Sequence, residues 1–258
     1  MNVKPNAERT LEVDRLAVSI YGTRDTMGQA AAFDVAAQMR ALLRERKTIR
    51  MVFAAAPSQN EFLAALRQAP DLDWQRVEAF HMDEYVGLAE DAPQRFGTFL
   101  REHLFGHVPL GRVEYIDGNA PAEQECRRYS ALVNERPIDI VCAGIGENGH
   151  MAFNDPPVAD FDDPETIKPV TLDAVCRMQQ VHDGAFATLD QVPLTALTMT
   201  MSALMAAERV YCIVPGPTKT EAVTRTLRGS IATECPATIM RRHAGARLYL
   251  DLDAAKGL

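Results

Sequence analysis

Several features that mark particular protein classes are missing from this sequence of 258 residues. Its five cysteines are widely separated and never form a Cys-x-x-Cys pair, which argues against a disulfide framework and against a cysteine-rich zinc site. No apolar run reaches membrane-spanning length, and the charged first residues lack the apolar core of a signal peptide. Acidic residues outnumber basic ones and give a net charge of -8, so no broad basic surface for nucleic acid is expected. We therefore expect a cytoplasmic protein with no metal ion, no nucleic-acid partner and no membrane partner.

The sequence does contain a regular alternation of short apolar runs and helical segments. Hydrophobic residues make up 47% of the chain and charged residues 24%, which is ordinary for one globular domain, here residues 1–258. Helical spacing of apolar residues predicts helices at 26–46, 61–68, 95–104, 121–134, 201–207 and 218–227. Short apolar runs predict strands at 48–56, 76–82, 138–143, 209–214 and 247–251. This order predicts an α/β fold with a mostly parallel sheet, whose first strand begins near Thr48 after essentially one helix.

The periodic pattern fades between residues 156 and 191. This stretch begins with proline and aspartate residues, and it shows only one short strand pattern near Val170 and one helical piece near Val175. Long irregular segments inside compact domains are often active-site lids. We therefore expect a lid at about 156–191.

One informative stretch, from Phe80 to Leu88, follows a predicted buried strand and contains Asp83 and Glu84. Ligands of parallel α/β sheets bind at the carboxyl ends of strands, so these two acids are candidates for proton transfer to or from a small polar molecule. Side chains alternate across a strand, so only one of the two is expected to face the crevice while the other supports it from behind. A helix cap or a solvated turn would explain the same acidic pair.

A second informative stretch runs from Gly144 to Pro156 and also follows a predicted strand. Its glycines allow backbone amides to approach a ligand closely, and the imidazole of His150 suits general acid–base catalysis. Asp155, five residues onward, could orient the imidazole as the aspartate of a catalytic triad does. A lone histidine is more often a hydrogen-bonded structural residue, and this alternative stays open.

Two further positions are candidates for phosphate binding. Lys219 lies between a predicted strand and the next helix, where a cation joins the amide groups of a helix start. Ser58 follows the first predicted strand and could cap its helix, bind a phosphate, or do both. The alternative for Lys219 is a solvated lysine in a first helical turn.

These stretches together resemble one known family. The sequences from Phe80 to Leu88, Gly118 to Pro121 with Glu125 to Arg127, Gly144 to Pro156 and Val192 to Thr198 are similar to glucosamine-6-phosphate deaminases, also called glucosamine-6-phosphate isomerases. The resemblance extends from about the first helix to the last strand. It implies a modified Rossmann-like, mostly parallel sheet with helices on both faces, a homo-oligomer and no cofactor. It also implies conversion of an amino sugar phosphate into fructose 6-phosphate and ammonia.

The resemblance implies roles for particular residues as well. Asp83 would be the base that removes the proton from C2 of the sugar. His150 would assist the opening of the sugar ring, with Asn148 and Asp155 beside it. The residues that would bind the sugar phosphate are Ser58, Gln59, Glu84, Gly146, Ala152 and Lys219.

The sequence departs from the family pattern at three places. Asn148 stands where the family often has an aspartate, and Asp155 stands where it usually has a glutamate, which weakens the acidic surroundings of the histidine. The loop at 54–59 contains alanines in place of a Gly/Thr-rich turn, so it offers fewer flexible backbone donors. The arginine expected in the lid is missing, with Arg177 or His182 as possible substitutes. Activity on a related sugar phosphate, with a different amino or acyl group, is therefore an alternative.

Two other functions stay open from the sequence. A hydrolase similar to 6-phosphogluconolactonase would share the general fold and a glycine-histidine loop, although the motif from Met82 to Tyr85 favours the deaminase branch. A sugar-phosphate sensor is the third hypothesis, because this fold also occurs as the effector domain of some transcriptional regulators. Such regulators carry a DNA-reading helix-turn-helix module, for which the predicted elements before Thr48 leave little room.

Overall fold

The computed structural model describes residues 3–258. The strands, numbered in chain order, are β1 (Arg9–Val13), β2 (Leu16–Tyr21), β3 (Ile49–Phe53), β4 (Val77–His81), β5 (Asp83–Tyr85), β6 (Arg112–Glu114), β7 (Ile140–Ala143), β8 (Ile167–Thr171), β9 (Thr195–Met199), β10 (Arg209–Val214) and β11 (Ala246–Asp251). The α-helices are α1 (Arg24–Glu45), α2 (Asn60–Arg67), α3 (Phe96–Leu100), α4 (Ala122–Asn134), α5 (Ala174–His182), α6 (Met201–Met205) and α7 (Thr220–Arg228). None of these helices combines the length and the apolar character needed to cross a membrane.

Eight strands form the central sheet, in the spatial order β1-β2-β11-β10-β7-β3-β4-β6. In this spatial order each strand is parallel to its neighbour, except that β1 pairs antiparallel with β2. Helices cover both faces, because one apolar cluster joins the sheet to α4, α6 and α7 and another joins it to α1, α2 and α3. The α/β fold with a mostly parallel sheet and helices on both faces is confirmed.

The N-terminal hairpin was not expected from the sequence. We placed the first strand near Thr48, but β1 and β2 precede α1. Strand β2 extends the parallel sheet beside β11, whereas β1 is an edge strand with mostly exposed side chains. An edge strand needs no continuous apolar run, since only one of its sides is paired and little of it is buried. This is why the apolar pattern did not reveal it.

A second, antiparallel sheet contains β5, β9 and β8. The segment at 156–191 provides β8 and α5, which match the strand and helix patterns expected near Val170 and Val175. A small apolar cluster beneath this segment includes Tyr85, Phe153 and Phe186. The segment that the sequence marks as irregular is therefore packed against the residues that follow β4 and β7.

The topology brings four sequence motifs to one edge of the central sheet. Strands β10, β7, β3 and β4 are consecutive in the sheet and mutually parallel. The chain reaches Lys219 after β10, His150 after β7, Ser58 after β3 and Asp83 after β4. Because the carboxyl ends of parallel strands meet at the same edge, these four positions lie at one crevice.

Candidate active site

A cavity of about 440 Å³ lies at this edge. Asp83, His150, Ser58 and Lys219 all line it, so each of the four strands contributes one polar side chain. Much of the remaining wall is apolar and consists of Ala54, Ala55, Ala56, Pro57, Met82, Pro93, Phe96, Phe99, Ile145, Ala152, Phe153 and Ala185. A small number of convergent polar groups in a largely apolar cavity is typical of a small-molecule site.

Asp83 is a buried acid without a protein partner. Its residue exposure is 7%, and within residues 3–258 no hydrogen bond reaches its carboxylate. Burial, with repulsion from Glu84, raises the pKa of Asp83 well above its usual value. A raised pKa makes the ionised form of this carboxylate a stronger base, so a ligand that favours ionisation would turn Asp83 into a proton acceptor facing the cavity.

The backbone of Asp83 is fixed by a neutral histidine. Nδ1 of His81 lies 2.9 Å from the Asp83 carbonyl oxygen, and Nε2 accepts a hydrogen bond from the Ile116 amide at 2.9 Å. Burial lowers the pKa of His81 to about 4, so its imidazole stays neutral. The side chain of His81 therefore orients the turn that carries the acid, a role that the sequence did not indicate.

Glu84 faces away from the cavity. Its carboxylate accepts hydrogen bonds from the amides of Tyr85 at 2.9 Å, Phe96 at 3.1 Å and Gly97 at 3.0 Å. Burial raises the pKa of Glu84, and these hydrogen bonds and the nearby Arg95 oppose that shift. Glu84 does not line the cavity, in contrast to its expected role in substrate binding. The alternation of side chains at the strand end gives it a supporting position instead.

His150 is held in one orientation. Its Nδ1 atom lies 2.8 Å from Oδ1 of Asn148 and 2.9 Å from Oδ1 of Asp155. Both neighbours accept hydrogen bonds, so Nδ1 is the ring nitrogen that donates to the protein. Within residues 3–258 Nε2 has no hydrogen-bond partner, and the ring lines the cavity.

The glycines of this loop make room for the imidazole. A Cβ atom on Gly146 would lie between 2.1 and 2.4 Å from three atoms of the His150 ring. Gly149 has a φ of 92°, and a Cβ atom there would lie 2.4 Å from Sγ of Cys235. Gly146 and Ala152 line the cavity, but the Gly146 amide donates to the His150 carbonyl oxygen at 2.9 Å. The main role of these glycines is thus to give the loop its shape and to leave room for the imidazole.

Asn148 and Asp155 lie behind the histidine, outside the cavity wall. Nδ2 of Asn148 donates to Oδ1 of Asp155 at 2.8 Å. Burial alone would raise the pKa of Asp155, but its interactions with His150 and hydrogen bonds from Asn148 and Cys176 outweigh burial and lower it. Asp155 therefore stays ionised beside the ring, although it is shorter than the family's glutamate. Asn148 and Asp155 therefore contact His150 and do not line the cavity.

Lys219 is the cation of the cavity wall. It lies in a short 3₁₀ turn before α7, is 6% exposed, and its ammonium forms no hydrogen bond within the part of the chain described. Burial lowers its pKa, while Asp183 and Glu147 oppose that shift. A buried cation without a partner fits an anionic group on the ligand.

Ser58 occupies the matching 3₁₀ turn before α2. Nε2 of Gln59 lies 3.1 Å from Oγ of Ser58 and 3.2 Å from the Ile213 carbonyl oxygen. Gln59 is 1% exposed and does not line the cavity, so it positions Ser58 and does not take the expected place of a substrate ligand. The two turns face the cavity from β3 and β10, on either side of β7.

Helix α5 supplies wall residues that the sequence analysis missed. Gln179, Gln180 and Asp183 all line the cavity. Polar residues on an amphipathic helix usually face solvent, so no local pattern distinguishes them. Arg177 and His182, the substitutes considered for the missing arginine, do not line the cavity. Arg177 is occupied by backbone carbonyl groups of the same segment, and His182 is exposed.

The geometry combines three chemical functions in one enclosed space. It contains a protonatable acid without a partner, an imidazole with a free Nε2 atom, and a buried cation at the start of a helix. Such a site can hold a small anionic molecule and move protons between its carbon and oxygen atoms.

Comparison with known proteins places the chain in a family of sugar-phosphate enzymes. Residues 22–249 match the family model described as glucosamine-6-phosphate isomerases/6-phosphogluconolactonase, so the chain belongs to this family. It is 36% identical over 191 residues to a glucosamine-6-phosphate deaminase of Exiguobacterium sibiricum. The aligned residues make up 71% of this chain and 71% of the relative. It is 32% identical over 212 residues to a glucosamine-6-phosphate deaminase of Bacillus cereus, covering 82% of this chain and 78% of the relative.

Solved structures show the same fold. A monomeric glucosamine-6-phosphate deaminase superposes with a TM-score of 0.85 at 29% identity, covering 93% of this chain and 99% of that chain. The 6-phosphogluconolactonase of Thermotoga maritima superposes with a TM-score of 0.73 at 20% identity, covering 92% and 98%. The second likeness, at that identity, supports the fold alone.

Proposed function

We propose that this protein is an amino-sugar-phosphate deaminase that converts glucosamine 6-phosphate, or a related hexosamine phosphate, into a ketose phosphate and ammonia. One observation carries the proposal: the carboxylate of Asp83, which has no hydrogen-bond partner among residues 3–258, lines the same cavity as the imidazole of His150, which Asn148 and Asp155 hold in place. The relatives named glucosamine-6-phosphate deaminase support it.

Ring opening is the step assigned to His150. Opening a cyclic sugar requires a proton to leave the hydroxyl on C1 and a proton to reach the ring oxygen. Nε2 of His150 can accept the first proton and deliver the second, because Nδ1 is occupied by Asn148 and Asp155. The product of this step is an open chain with an aldehyde at C1.

Proton transfer on carbon is the step assigned to Asp83. The aldehyde acidifies the hydrogen on C2, so the carboxylate can remove that proton and return it to C1. The ammonium group gives up one proton while the C1 oxygen gains one and becomes a hydroxyl group, so the double bond then lies between C2 and nitrogen. Water adds at C2 and ammonia leaves. One water is consumed and one ammonia is released, so the atoms balance without an oxidant. The positively charged amino group of the substrate would favour the ionised form of Asp83 against the cost of burial.

The phosphate is assigned to Ser58 and Lys219. Ser58 and Lys219 lie in the two turns that precede α2 and α7, and both line the wall. The amide groups of a helix start and a nearby cation together attract a phosphate. The alanines of the loop at 54–56 leave the hydroxyl of Ser58 and the ammonium of Lys219 as the side chains for this contact.

The experiment is a substrate panel with ammonia release as the readout. Glucosamine 6-phosphate and related hexosamine phosphates are incubated with the purified protein, and 6-phosphogluconolactone is included as a hydrolase control. We expect ammonia and a ketose phosphate from at least one amino sugar phosphate. No ammonia from the whole panel, together with lactone hydrolysis, would reject the deaminase. A ligand-dependent rise in Tm without any turnover would instead support a sensor.

Location and assembly also belong to the proposal. We expect a cytoplasmic enzyme, as for bacterial relatives in sugar metabolism, and a homo-oligomer, as the resemblance implies. One solved relative is described as monomeric, so family membership alone does not set the number of subunits. Sedimentation equilibrium measures that number directly, and a single species with the mass of one chain, 28.5 kDa, would reject the oligomer.

A further inference from the structure

The side chain of Cys176 lies near Asp155, the acid beside Nδ1 of His150. Sγ of Cys176, a carboxylate oxygen of Asp155 and a ring nitrogen of His150 all lie within 4.8 Å of one another. All three residues are buried, with Cys176 at 1% exposure. Burial raises the pKa of the Cys176 thiol, and the charge of Asp155 and a hydrogen bond to its carboxylate raise it further. The thiol is therefore protonated and lies close enough to Asp155 to be a potential donor to its carboxylate.

The contact is part of a polar face on α5. Cys176, Gln179, Gln180 and Asp183 are spaced i, i+3, i+4 and i+7, which places them on one side of the helix. The Glu147 amide donates to Oε1 of Gln179 at 2.8 Å. This face of α5 therefore contacts the histidine loop directly.

A second contact joins the same face to the loop that carries Asp83. The hydroxyl of Tyr85 donates to Oε1 of Gln180 at 2.7 Å. Through Gln179 and Gln180 the helix is hydrogen-bonded to residues beside both proposed catalytic groups, and Cys176 lies close to Asp155 and His150.

The three donor atoms of the cluster are also types that bind metal ions. Here, however, Nδ1 of His150 lies 2.9 Å from Oδ1 of Asp155, which is a direct hydrogen bond with no space for an ion between the two atoms. The geometry fits a chain of hydrogen bonds from thiol to carboxylate to imidazole.

We propose that Cys176 is a positioning residue that holds Asp155 in place and so fixes the orientation of His150 for ring opening. This inference rests on the proposed function. It makes α5, the helix of the expected lid, part of the catalytic support.

The test compares Cys176→Ser with Cys176→Ala, which differ by one hydroxyl group at nearly equal volume. We expect the serine variant to keep kcat within about twofold and the alanine variant to lose on the order of tenfold, the lower end of the effect of removing a supporting partner. The loss should appear in kcat with the cyclic substrate and be smaller with an open-chain analogue, while KM changes little. If the thiol only fills space, alanine will be at least as active as serine, and the proposal is overturned.

A second readout does not depend on the reaction. The ¹⁵N chemical shifts of His150 report which ring nitrogen carries the proton. We expect the Nδ1–H form in the parent protein and in Cys176→Ser, and a mixture of both forms in Cys176→Ala. Unchanged shifts in the alanine variant would overturn the proposal even if the substrate has been misassigned.

Cys212 provides the matched control. It is fully buried in β10, and burial is the one cause that raises the pKa of its thiol. Cys212→Ser should be less stable than Cys212→Ala because the new hydroxyl has no partner there. Neither change should alter the ratio of rates on cyclic and open-chain substrates.

Discussion

Asp83 and His150, which line the same cavity, differ in the number of hydrogen-bond partners that the protein gives their side chains. After β4, Asp83 projects into the cavity with no hydrogen bond to its carboxylate within residues 3–258. After β7, Nδ1 of His150 is held by Asn148 and Asp155. The same crevice therefore contains one reactive group without partners and one with several.

The difference follows from what each group has to do. A base that takes a proton from carbon must keep its oxygens available and must be easy to protonate, which burial achieves by raising the pKa of Asp83. An imidazole that passes protons between two oxygens must present one particular nitrogen, which the acceptors at Nδ1 of His150 achieve. Leaving a carboxylate without hydrogen-bond partners and holding an imidazole by acceptors at one nitrogen are therefore two ways of preparing a group for proton transfer.

The largest expected effect comes from Asp83→Asn. We expect ammonia release to fall by at least about 10³-fold, since a positioned acid–base group contributes up to about 10⁴-fold. The raised pKa means that the native state binds this proton more tightly than the unfolded chain. The free energy of unfolding therefore falls as pH rises through that pKa. Asparagine removes this cost, so Tm at pH 8 should rise while activity is lost. A fall in both would contradict the assignment of a strained, partnerless acid.

His150→Ala should have the second largest effect. We expect a loss on the order of 10²-fold in kcat/KM with the cyclic substrate, because ring opening loses its proton carrier. An open-chain analogue does not need that step and should lose far less. Stopped-flow assays on the two substrates give this ratio. Equal losses on both would remove His150 from ring opening.

Lys219 should control affinity more than rate. Lys219→Met should raise KM by roughly 10-fold, as expected for a lost charge-assisted hydrogen bond. Because burial lowers the pKa of Lys219, binding of an anion should weaken as pH rises, at values below the usual lysine range. Sulfate does not titrate in this range and is the probe for calorimetric binding. Lys219→Arg should keep sulfate binding at high pH, and an unchanged pH profile in that variant would contradict this role.

Glu84→Gln should have the smallest effect on chemistry and an effect on stability opposite to that of Asp83→Asn. Three backbone amides donate to the Glu84 carboxylate, and a glutamine amide cannot accept all of them. We expect the free energy of unfolding to fall by about 1 to 3 kcal/mol, the cost of a buried unsatisfied group. Chemical denaturation of Asp83→Asn and Glu84→Gln measures whether each change raises or lowers the free energy of unfolding. Stabilisation by both changes would show that Glu84 is not a structural acceptor.

The sequence alone located the four neighbouring strands whose ends line the cavity, although it missed others such as β1 and β2. Strands β3, β4, β7 and β10 are short apolar runs, and the rule that ligands bind at strand carboxyl ends placed Asp83, His150, Ser58 and Lys219 at one crevice. The resemblance added a proposed chemistry to these positions. Both arguments depend on local sequence patterns. Such patterns were sufficient to predict a cavity-lining residue where a buried strand is followed directly by a polar motif.

The parts that could not be predicted depend on contacts distant in sequence. Whether Glu84 and Gln59 face the cavity is decided by partners such as the Phe96 amide and the Ile213 carbonyl group. The inward face of α5 has no signal of its own, because its polar residues would suit a solvated helix equally well. The edge strand β1 is paired on one side only and lacks an apolar run.

The fate of a deuterium label at C2 of glucosamine 6-phosphate tests the central claim most directly. If Asp83 moves this proton, the parent protein will transfer the label to C1 of the ketose or release it to solvent, and both are visible by NMR. Folded Asp83→Asn protein, with ligand binding retained, will leave the label at C2. Loss of the label at the parent rate in this variant would show that another group removes the proton and would contradict the account.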